Sequence, residues 1–326
     1  MLYPLKFNPI LKERIWGGRR LIEEYGKKPS GSIEKPYGES WELSAVQDNV
    51  STVRNGFLAG NSLQELIEVY MGDLVGERVY RQFGQEFPLL IKLIDTADYL
   101  SIQVHPDDAM ANRLHGANGK TEMWYVLDSD KDSWIITGFA KELTKSAYFD
   151  VLANGTLSEY LRYELVEKDD FFYIPAGRVH AIGKGVTLIE IQQTSDITYR
   201  IYDWDRVDEK GKSRELHTKL AVEAIDFSVT PETKANKKGE INVSHEIVHS
   251  PFFKTNHLSL NRSMNRDFFK LDSFVVYFCS EGAVSLETNS NEDVTLSKGE
   301  LALVPAALEN ITLTPTNEAK IIEIYY

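Results

Sequence analysis

The sequence predicts a mainly β fold of the jelly-roll or barrel type, with a few helices added. Many short apolar segments with strand character are bounded by turn residues, from "FPLLIKLIDT" to "AKIIEIYY" at the C terminus, a pattern typical of all-β architectures. Aromatic residues make up 11% of the chain, and their side chains favour strands. Residues 168–180 and 298–310 align without a gap. In both segments a Lys is followed by two polar or Gly positions, four strand residues, Pro and Ala, which indicates two related folds.

The first part of the chain is expected to mix strands with helices. "RIWGGRRL" and "GESWELSAV" have the character of short extended pieces, and "SLQELIEVYMGDLVG" predicts a helix with Ser62 as its N-cap. Pro106 and Gly116 bound a short helix at "PDDAMANRLHG". "LSIQVH", "DFFYIPAGRVHAI" and "TLIEIQQ" predict strands, and "EMWYVLD" with "SWIITG" predicts a hairpin. Two short helices are expected in "LTKSAYFDVLANGTLSEYLR" and one near "ELHTKLAVEAI".

A polar segment separates this part from a C-terminal run of strands. "VTPETKANKKGEIN", residues 229–242, is the best linker candidate because large apolar residues occur only at its ends. We therefore expect two domains, over residues 1–234 and 235–326. In the internal alignment Asn310 stands opposite His180, so a site that uses His180 has no direct counterpart in the second domain.

Composition limits the class of protein. The formal net charge of −13 argues against nucleic acid and anionic membrane surfaces as partners, although a local cationic pocket could still bind a small anionic substrate. Cys279 is the single cysteine, which excludes an intrachain disulfide and suits a reducing compartment. We interpret it as a small buried residue. With no secretory or membrane-spanning pattern in the sequence, a cytoplasmic protein is expected.

Four residues have the character of a metal site. Gln103 and His105 alternate along one predicted strand and therefore face the same way. Glu122 opens a later strand, and His180 follows the turn at Pro175. Neighbouring strands of a small barrel would bring two nitrogens and two oxygens together, a set that zinc accepts. The same histidines could instead be ordinary hydrogen-bonded strand residues, and two His with one Glu also suit iron(II) in an oxygenase.

A second group of polar residues lies in "TLIEIQQTSDITYRIYDWDR". Glu190 and Gln192 share one strand face, and Arg200 follows them closely. An arginine directed into a polar pocket would bind a phosphate or stabilise a developing enediolate. The alternative is a surface arginine that pairs with Asp203 or Asp205.

Two lysines complete the set of candidate residues. Lys92 interrupts the apolar run "FPLLIKLI", and a lysine among apolar neighbours in mid-strand needs a partner or a pocket. Lys120 lies two residues before Glu122 and so can share its strand face, although a solvated side chain is the default for a lysine.

Taken together, these segments resemble the type I mannose-6-phosphate isomerases (phosphomannose isomerases) of the cupin superfamily, in particular their short bacterial form. The matching motifs occur in the order of the family and cover most of residues 10–206. They are "RIWGG", "GESWELS", "LSIQVHPDD", "GKTEMWYVL", "PAGRVHAIG" and "EIQQTSDITYRIYDW".

The resemblance implies two cupin-type jelly-roll barrels with helical additions. Residues 1–234 would be the catalytic metal-binding domain with helical insertions, and residues 235–326 a degenerate jelly roll without metal. One zinc ion per chain would be held by Gln103, His105, Glu122 and His180. The implied catalytic residues are Arg200, Glu190, Lys120 and Lys92. The implied substrate-binding residues are Ser101, Lys92, Lys120 and Arg200.

The implied reaction interconverts mannose 6-phosphate and fructose 6-phosphate through an enediol intermediate. The expected partner is thus a small phosphorylated sugar, and the oligomeric state stays open. Long members of the family carry a further helical domain between the metal-binding Glu and the last metal-binding His, and the interval from Glu122 to His180 is too short for it. A metal-dependent cupin oxygenase and a non-catalytic sugar-binding cupin remain the alternative functions.

Overall fold

The fold is mainly β, as predicted, and its sheets are antiparallel and open. A computed structural model describes residues 1–207, 210–235, 239–290 and 292–326. The finer prediction of two jelly-roll barrels is not confirmed, because no sheet formed by these described residues closes on itself. None of the helices within these ranges is long and apolar enough to cross a membrane.

The strands of the described residues are β1 (Ile10–Gly18), β2 (Tyr37–Leu43), β3 (Leu89–Asp95), β4 (Ile102–Val104), β5 (Glu122–Ser129), β6 (Trp134–Phe139), β7 (Leu161–Leu165), β8 (Phe171–Ile174), β9 (His180–Ile182), β10 (Val186–Gln193), β11 (Tyr199–Tyr202), β12 (Ser244–His249), β13 (Lys254–Leu260), β14 (Met264–Asp267), β15 (Val275–Thr288), β16 (Val294–Ser297), β17 (Leu301–Val304) and β18 (Asn310–Tyr325). The helices are α1 (Arg20–Glu23), α2 (Leu63–Val75), α3 (Glu77–Phe83), α4 (Asp108–His115), α5 (Tyr148–Ala153) and α6 (Thr218–Ala224), with a 3₁₀ turn at Leu157–Glu159.

Two compact units divide the chain. The first contains Met1–Ile10, Trp41–Ile91 and Lys237–Tyr326, and the second contains Leu11–Ser40 and Lys92–Asn236. Residues 236–238 of the predicted linker lie outside the described residues, and the predicted division into residues 1–234 and 235–326 stays a prediction. All candidate site residues belong to the second unit.

Two antiparallel sheets carry most of the candidate site residues. One has the strand order β1-β2-β3-β10-β5-β8, and the other has the order β11-β4-β9-β6-β7. One buried cluster takes Trp124 and Phe172 from the first sheet and Ile135 and Ile182 from the second, so the two sheets share an apolar core. A second cluster on the five-stranded sheet includes residues of α5 and α6. Burial on both sides keeps the strands that carry the polar candidates in a fixed position.

The predicted hairpin of β5 and β6 is wrong. Both segments are strands, but β5 pairs with β10 and β8 in the six-stranded sheet, whereas β6 pairs with β9 and β7 in the five-stranded sheet. Each strand thus already has a hydrogen-bonded neighbour on both sides. The turn between the strands takes the chain from one sheet to the other. The alternation of apolar residues along a strand does not indicate which sheet the strand joins.

The first unit carries the C-terminal sheet, in the order β12-β13-β18-β15-β16, with β14 on β18 and β17 on β15. The internal alignment matches the structure at the level of elements. Strands β8 and β17 occupy aligned positions, and His180 and Asn310 are the first residues of β9 and β18. Cys279 is a buried free thiol in the core of this sheet, as predicted.

Two predicted helix boundaries are confirmed by their caps. Ser62 precedes α2 and forms a capping box with Glu65: the Ser62 side chain accepts from the Glu65 N–H, and the Glu65 side chain accepts from the Ser62 N–H. Helix α4 follows Asp107, whose side chain accepts from Met110 N–H, and ends at Gly116 in the left-handed region. Helix α4 begins at Asp108, three residues after His105, so its N-cap fixes the end of the segment that contains Gln103 and His105.

Candidate functional site

Three short strands bring the predicted ligand residues together. Gln103 lies on β4, directly opposite His180 on the neighbouring β9. Glu122 opens β5 in the other sheet, and His105 follows β4 by one residue. Strands of the two sheets therefore bring these side chains to one buried point. Gln103 and His105 lie on the same side of their segment, as their alternation predicts.

His105, Glu122 and His180 form a group that could hold a metal ion. One ligand atom from each residue lies within 4.8 Å of the others. His105 Nε2 is 3.6 Å from Glu122 Oε2, and His180 Nε2 is 3.5 Å from Glu122 Oε1. All three side chains are at most 1% exposed. The distances are too long for hydrogen bonds between the residues, and they leave a common centre that the three side chains surround.

The backbone fixes the ring nitrogen that each histidine presents to this centre. His105 Nδ1 lies 2.8 Å from the Ile197 carbonyl oxygen, and His180 Nδ1 lies 2.9 Å from the Arg178 carbonyl oxygen. A carbonyl can only accept, so both Nδ1 atoms carry the proton and both Nε2 atoms present a lone pair. Metal-binding histidines in proteins are commonly oriented in this way.

Unpartnered buried atoms support a metal at this centre. Among the described residues, His105 Nε2 and Glu122 Oε1 are buried and have no hydrogen-bond partner. Buried polar atoms are nearly always paired, so each exception needs an explanation. Two imidazole nitrogens and a carboxylate are donors that a divalent transition metal accepts, and the residues therefore fit a metal ion.

Gln103 lies beside this group with its amide nitrogen turned toward His180. Gln103 Nε2 is 3.2 Å from His180 Nε2, so it can donate to the lone pair of that ring. Ser101 donates a long hydrogen bond of 3.4 Å to Gln103 Oε1. A ligand role for Gln103 needs the amide rotated by half a turn, which exchanges the oxygen and the nitrogen.

Burial keeps the two histidines neutral. It lowers the pKa of His180 to about 4 and the pKa of His105 well below its usual value. Lys120 adds to the shift of both because a second positive charge is unfavourable beside it. Neutral imidazole is the form that binds a metal, so both rings are ready to coordinate at neutral pH.

Next to the histidines lies a buried network of two lysines and two carboxylates. Lys92 Nζ donates to Glu190 Oε1 at 2.9 Å and to Gln192 Oε1 at 2.7 Å. Lys120 Nζ lies 3.0 Å from Glu122 Oε2 and 3.7 Å from Glu190 Oε1. The expectation that Lys92 needs a partner is confirmed. The default expectation that Lys120 is solvated is wrong, because its side chain is 5% exposed.

The two carboxylates of this network differ in basicity. Burial, with the nearby Glu190 charge, raises the pKa of Glu122 to about 7, although Lys120 opposes the shift. Burial also acts to raise the pKa of Glu190, but Lys120 and Lys92 outweigh it and hold the value at about 2. Burial acts to lower the pKa of Lys120, and Glu122 and Glu190 raise it above its usual value. Glu190 is therefore ionised and Lys120 protonated at neutral pH.

Arg200 lies on β11, directly opposite Gln103 on β4. Its Nη1 donates to the Glu215 carbonyl oxygen at 2.9 Å. The alternative of a surface pair with Asp203 or Asp205 is wrong: Asp203 binds Arg206 and Arg214, and Asp205 accepts from a tyrosine hydroxyl. Arg200 thus stands one strand away from the histidine group.

Trp124 is a site residue that sequence reasoning missed. Its indole Nε1 donates to Glu190 Oε2 at 3.1 Å, and its ring packs edge-on against His180 with centroids 5.4 Å apart. Trp124 lies two residues after Glu122, so strand alternation could have placed it on the same face. Its partner across the sheet is Glu190 itself, and that register has no signal in the sequence.

Comparison with known proteins identifies relatives over the whole chain. Residues 4–143 match the family model described as phosphomannose isomerase type I, catalytic domain. Mannose-6-phosphate isomerase ManA of Bacillus subtilis is 45% identical over 233 residues, 70% of each chain. Mannose-6-phosphate isomerase of Streptococcus mutans is 34% identical over 315 residues, 95% of each chain. A crystal structure of the mannose 6-phosphate isomerase from Bacillus subtilis superposes with a TM-score of 0.85 at 32% identity and covers both chains completely.

Proposed function

Because the chain belongs to the type I phosphomannose isomerase family, we propose that it interconverts mannose 6-phosphate and fructose 6-phosphate. One observation carries the proposal: a buried His105–Glu122–His180 group with ligand atoms turned to a common centre adjoins a buried cationic network. An aldose–ketose isomerisation moves a proton between C1 and C2, and negative charge develops on the neighbouring oxygens. A buried site with fixed cations suits that change in charge.

The metal in this proposal is zinc, one ion per chain, held by His105, Glu122, His180 and a rotated Gln103. The donor set supports zinc, which accepts imidazole nitrogen together with carboxylate and amide oxygen. When bound, zinc would supply Lewis-acid chemistry that polarises the substrate oxygens. Glu122 has a second function in the protein itself: its carboxylate keeps Lys120 charged next to the substrate position.

Lys120, Lys92 and Arg200 supply positive charge in our proposal. Lys120 is protonated and buried, so it can donate a hydrogen bond to a substrate oxygen as negative charge develops there. Lys92 is held by Glu190 and Gln192, which orients its ammonium group. Arg200 stabilises the enediolate, and Ser101, next to Gln103, is a contact for the substrate phosphate.

Glu190 acts in this account as an orienting group rather than as the proton-transferring base. Efficient general bases have a pKa near the working pH, whereas Lys120 and Lys92 hold the pKa of Glu190 at about 2. Trp124 and Lys92 also occupy its two oxygens. The carboxylate therefore balances the charge of the lysines and fixes their positions.

We further propose that residues 1–234 form a metal-binding cupin domain with helical insertions and that residues 235–326 form a degenerate jelly roll without metal. The aligned strand bounds of β8 and β17 support a common origin of the two domains. A cytoplasmic location remains a prediction from the single cysteine.

A coupled assay for fructose 6-phosphate with purified protein tests the function. We expect conversion of mannose 6-phosphate, its loss after dialysis against a chelator, and its return with zinc. Absence of turnover in zinc-loaded, folded protein that still binds the sugar phosphate would favour a sugar-binding cupin. Oxygen consumption by the iron(II)-loaded protein, without isomerisation by the zinc-loaded protein, would favour the oxygenase alternative.

A further inference from the structure

Lys120 lies in the loop that joins α4 to β5, not on a strand. Helix α4 ends at His115 and β5 begins at Glu122, so Lys120 lacks the strand pairing that fixes Glu190 on β10. Its side chain is nevertheless buried, and its Nζ lies 3.0 Å from Glu122 Oε2. Side chains on loops are held less precisely than those on strands unless other contacts support them. The contacts of residues 119–121 therefore decide how precisely Lys120 is placed.

Gln193 binds the backbone of Thr121 at two points. Gln193 N–H donates to the Thr121 carbonyl oxygen at 3.1 Å, and Thr121 N–H donates to Gln193 Oε1 at 2.8 Å. These bonds continue the pairing of β5 and β10 one residue beyond Glu122 and Gln192. In an antiparallel pair both carbonyls usually accept, but the Gln193 carbonyl accepts from Gln192 Nε2 at 2.8 Å. The Gln193 side chain takes its place and fixes Thr121 to β10.

Asp108 holds the loop from the side of α4. Its Oδ1 accepts from Gly119 N–H at 2.8 Å and from Gln193 Nε2 at 3.0 Å. Lys120 N–H donates to the Pro106 carbonyl oxygen at 3.1 Å. Hydrogen bonds to a carboxylate are stronger than those between neutral groups. One carboxylate oxygen thus joins the loop to the Gln193 side chain.

Gly119 allows the loop to approach α4 this closely. A Cβ atom on Gly119 would lie 2.5 Å from the Asp107 carbonyl carbon and from the Asp108 nitrogen, and 2.9 Å from the Pro106 carbonyl oxygen. These distances are well inside van der Waals contact. Only glycine, which has no Cβ, brings its N–H to Asp108 here without a clash. The loop is therefore in direct backbone contact with residues 106–108 and has little room to shift.

We propose that Asp108 and Gln193 are positioning residues for the proposed isomerisation. They fix the backbone of Thr121, so the side chains on either side of it, Lys120 and Glu122, keep their places at the metal group. The inference rests on the proposed function, because Glu122 is a metal ligand and Lys120 a hydrogen-bond donor only within it. Neither Asp108 nor Gln193 belongs to the histidine group or to the network of lysines and carboxylates. Loss of such an outer contact typically lowers metal affinity or activity about 10- to 100-fold.

Two neighbouring aspartates separate positioning of the loop from support of α4. Asp107 caps the helix, because its side chain accepts from Met110 N–H at 2.8 Å. Asp108 binds Gly119 and Gln193 instead. Asp107→Ala therefore removes the cap and is the matched control for Asp108→Ala. Asp108→Asn removes the charge but keeps an acceptor oxygen, so it should restore what Asp108→Ala loses if the hydrogen bonds matter.

Amide hydrogen exchange of metal-free protein measures the loop without metal or turnover. Asp108→Ala and Gln193→Ala should speed exchange at residues 119–121 about 10-fold or more, because the hydrogen bonds of these amides are lost or weakened. Asp107→Ala should speed exchange in α4 instead. Asp108→Asn should stay within about threefold of the wild type, since its amide oxygen still accepts. Asp108 is an exposed residue, so its variants keep the test available if Gln193→Ala does not fold.

Zinc affinity, measured by competition with a chromophoric chelator, shows the consequence for the metal group. Asp108→Ala and Gln193→Ala should bind zinc about 10- to 100-fold more weakly than the wild type. At saturating zinc, their kcat for mannose 6-phosphate should fall by about the same factor while KM changes by less than about threefold, because Lys120 acts on charge that develops in the transition state. Asp107→Ala and Asp108→Asn should behave as the wild type in both assays.

Three results would overturn the inference. One is wild-type zinc affinity and kcat in folded Asp108→Ala and Gln193→Ala. The second is an Asp108→Asn protein as impaired as Asp108→Ala, since charge rather than position would then explain the loss. The third is equal impairment in Asp107→Ala, which would assign the effect to α4. Faster exchange of the loop and weaker zinc binding in a series whose wild type does not isomerise mannose 6-phosphate would reject the proposed function alone.

Discussion

Replacement of Lys92 by methionine separates the ionic role of this residue from its packing role. Methionine keeps an unbranched apolar side chain on β3 but removes the ammonium group that binds Glu190 and Gln192. Loss of one partner of a buried ion pair typically costs 3–5 kcal/mol, because the other charge is left uncompensated. Here Glu190 keeps Trp124 and the Lys120 contact at 3.7 Å. We therefore expect a loss of stability at the lower end of this range, about 3 kcal/mol.

The double variant Lys92→Met/Glu190→Gln tests the physical reason for this loss. If the cost comes from the unpaired carboxylate, removal of its charge should restore about 1–2 kcal/mol, since a neutral pair has no charge to desolvate. The control is Lys35→Met, which removes an exposed lysine paired with Glu13 at 2.9 Å and should leave the urea midpoint almost unchanged, because exposed ion pairs contribute little to stability.

Urea unfolding of metal-free protein gives the free energies, with fluorescence and circular dichroism as independent probes of cooperativity. Two results would contradict this expectation: a Lys92→Met protein as stable as Lys35→Met, or a double variant less stable than Lys92→Met. The first result would mean that Glu190 has sufficient partners without Lys92. The second would mean that the loss comes from packing.

Further predictions concern single residues. Arg200→Ala should lower kcat about 10²- to 10³-fold, as for other preorganised donors. Arg200→Lys should also be impaired, because lysine lacks the planar fork of arginine. A folded, zinc-loaded Arg200→Ala enzyme with wild-type kcat would exclude a catalytic role. Burial raises the pKa of the Cys279 thiol to about 12. Native protein at pH 8 should therefore not react with a thiol reagent, whereas unfolded protein should react once per chain. Rapid labelling of native protein would contradict this. Ser62→Ala removes the capping box of α2 and should cost about 1 kcal/mol in urea unfolding; an unchanged midpoint would show that α2 depends on packing alone.

Local patterns in the sequence predicted much of the site. Strand alternation placed Gln103 and His105 on one face, and Glu190 and Gln192 on another, and the structure agrees. The need of Lys92 for a buried partner followed from its apolar neighbours alone. The period of two along a strand is a property of the backbone, so it holds wherever the strand lies.

The remaining features depend on contacts between strands that are distant in sequence. Which sheet receives β6, and which residue of β10 faces Trp124, are set by register. The carbonyls of Ile197 and Arg178 fix the histidine rings. They are backbone groups, so the identity of the residue does not predict this contact. Lys120 is buried because Glu122 and Glu190 surround it in space.

The central claim is that the buried histidine group holds the zinc on which isomerisation depends. The most direct measurement is the zinc content and the isomerase activity of purified wild-type protein, His105→Ala and His180→Ala, with His249→Ala as control. His249 is an exposed histidine that pairs with Glu246. We predict one zinc per chain and full activity in the wild type and in His249→Ala, with little zinc and little activity in the other two. Full zinc occupancy in both folded His105→Ala and His180→Ala would contradict the account.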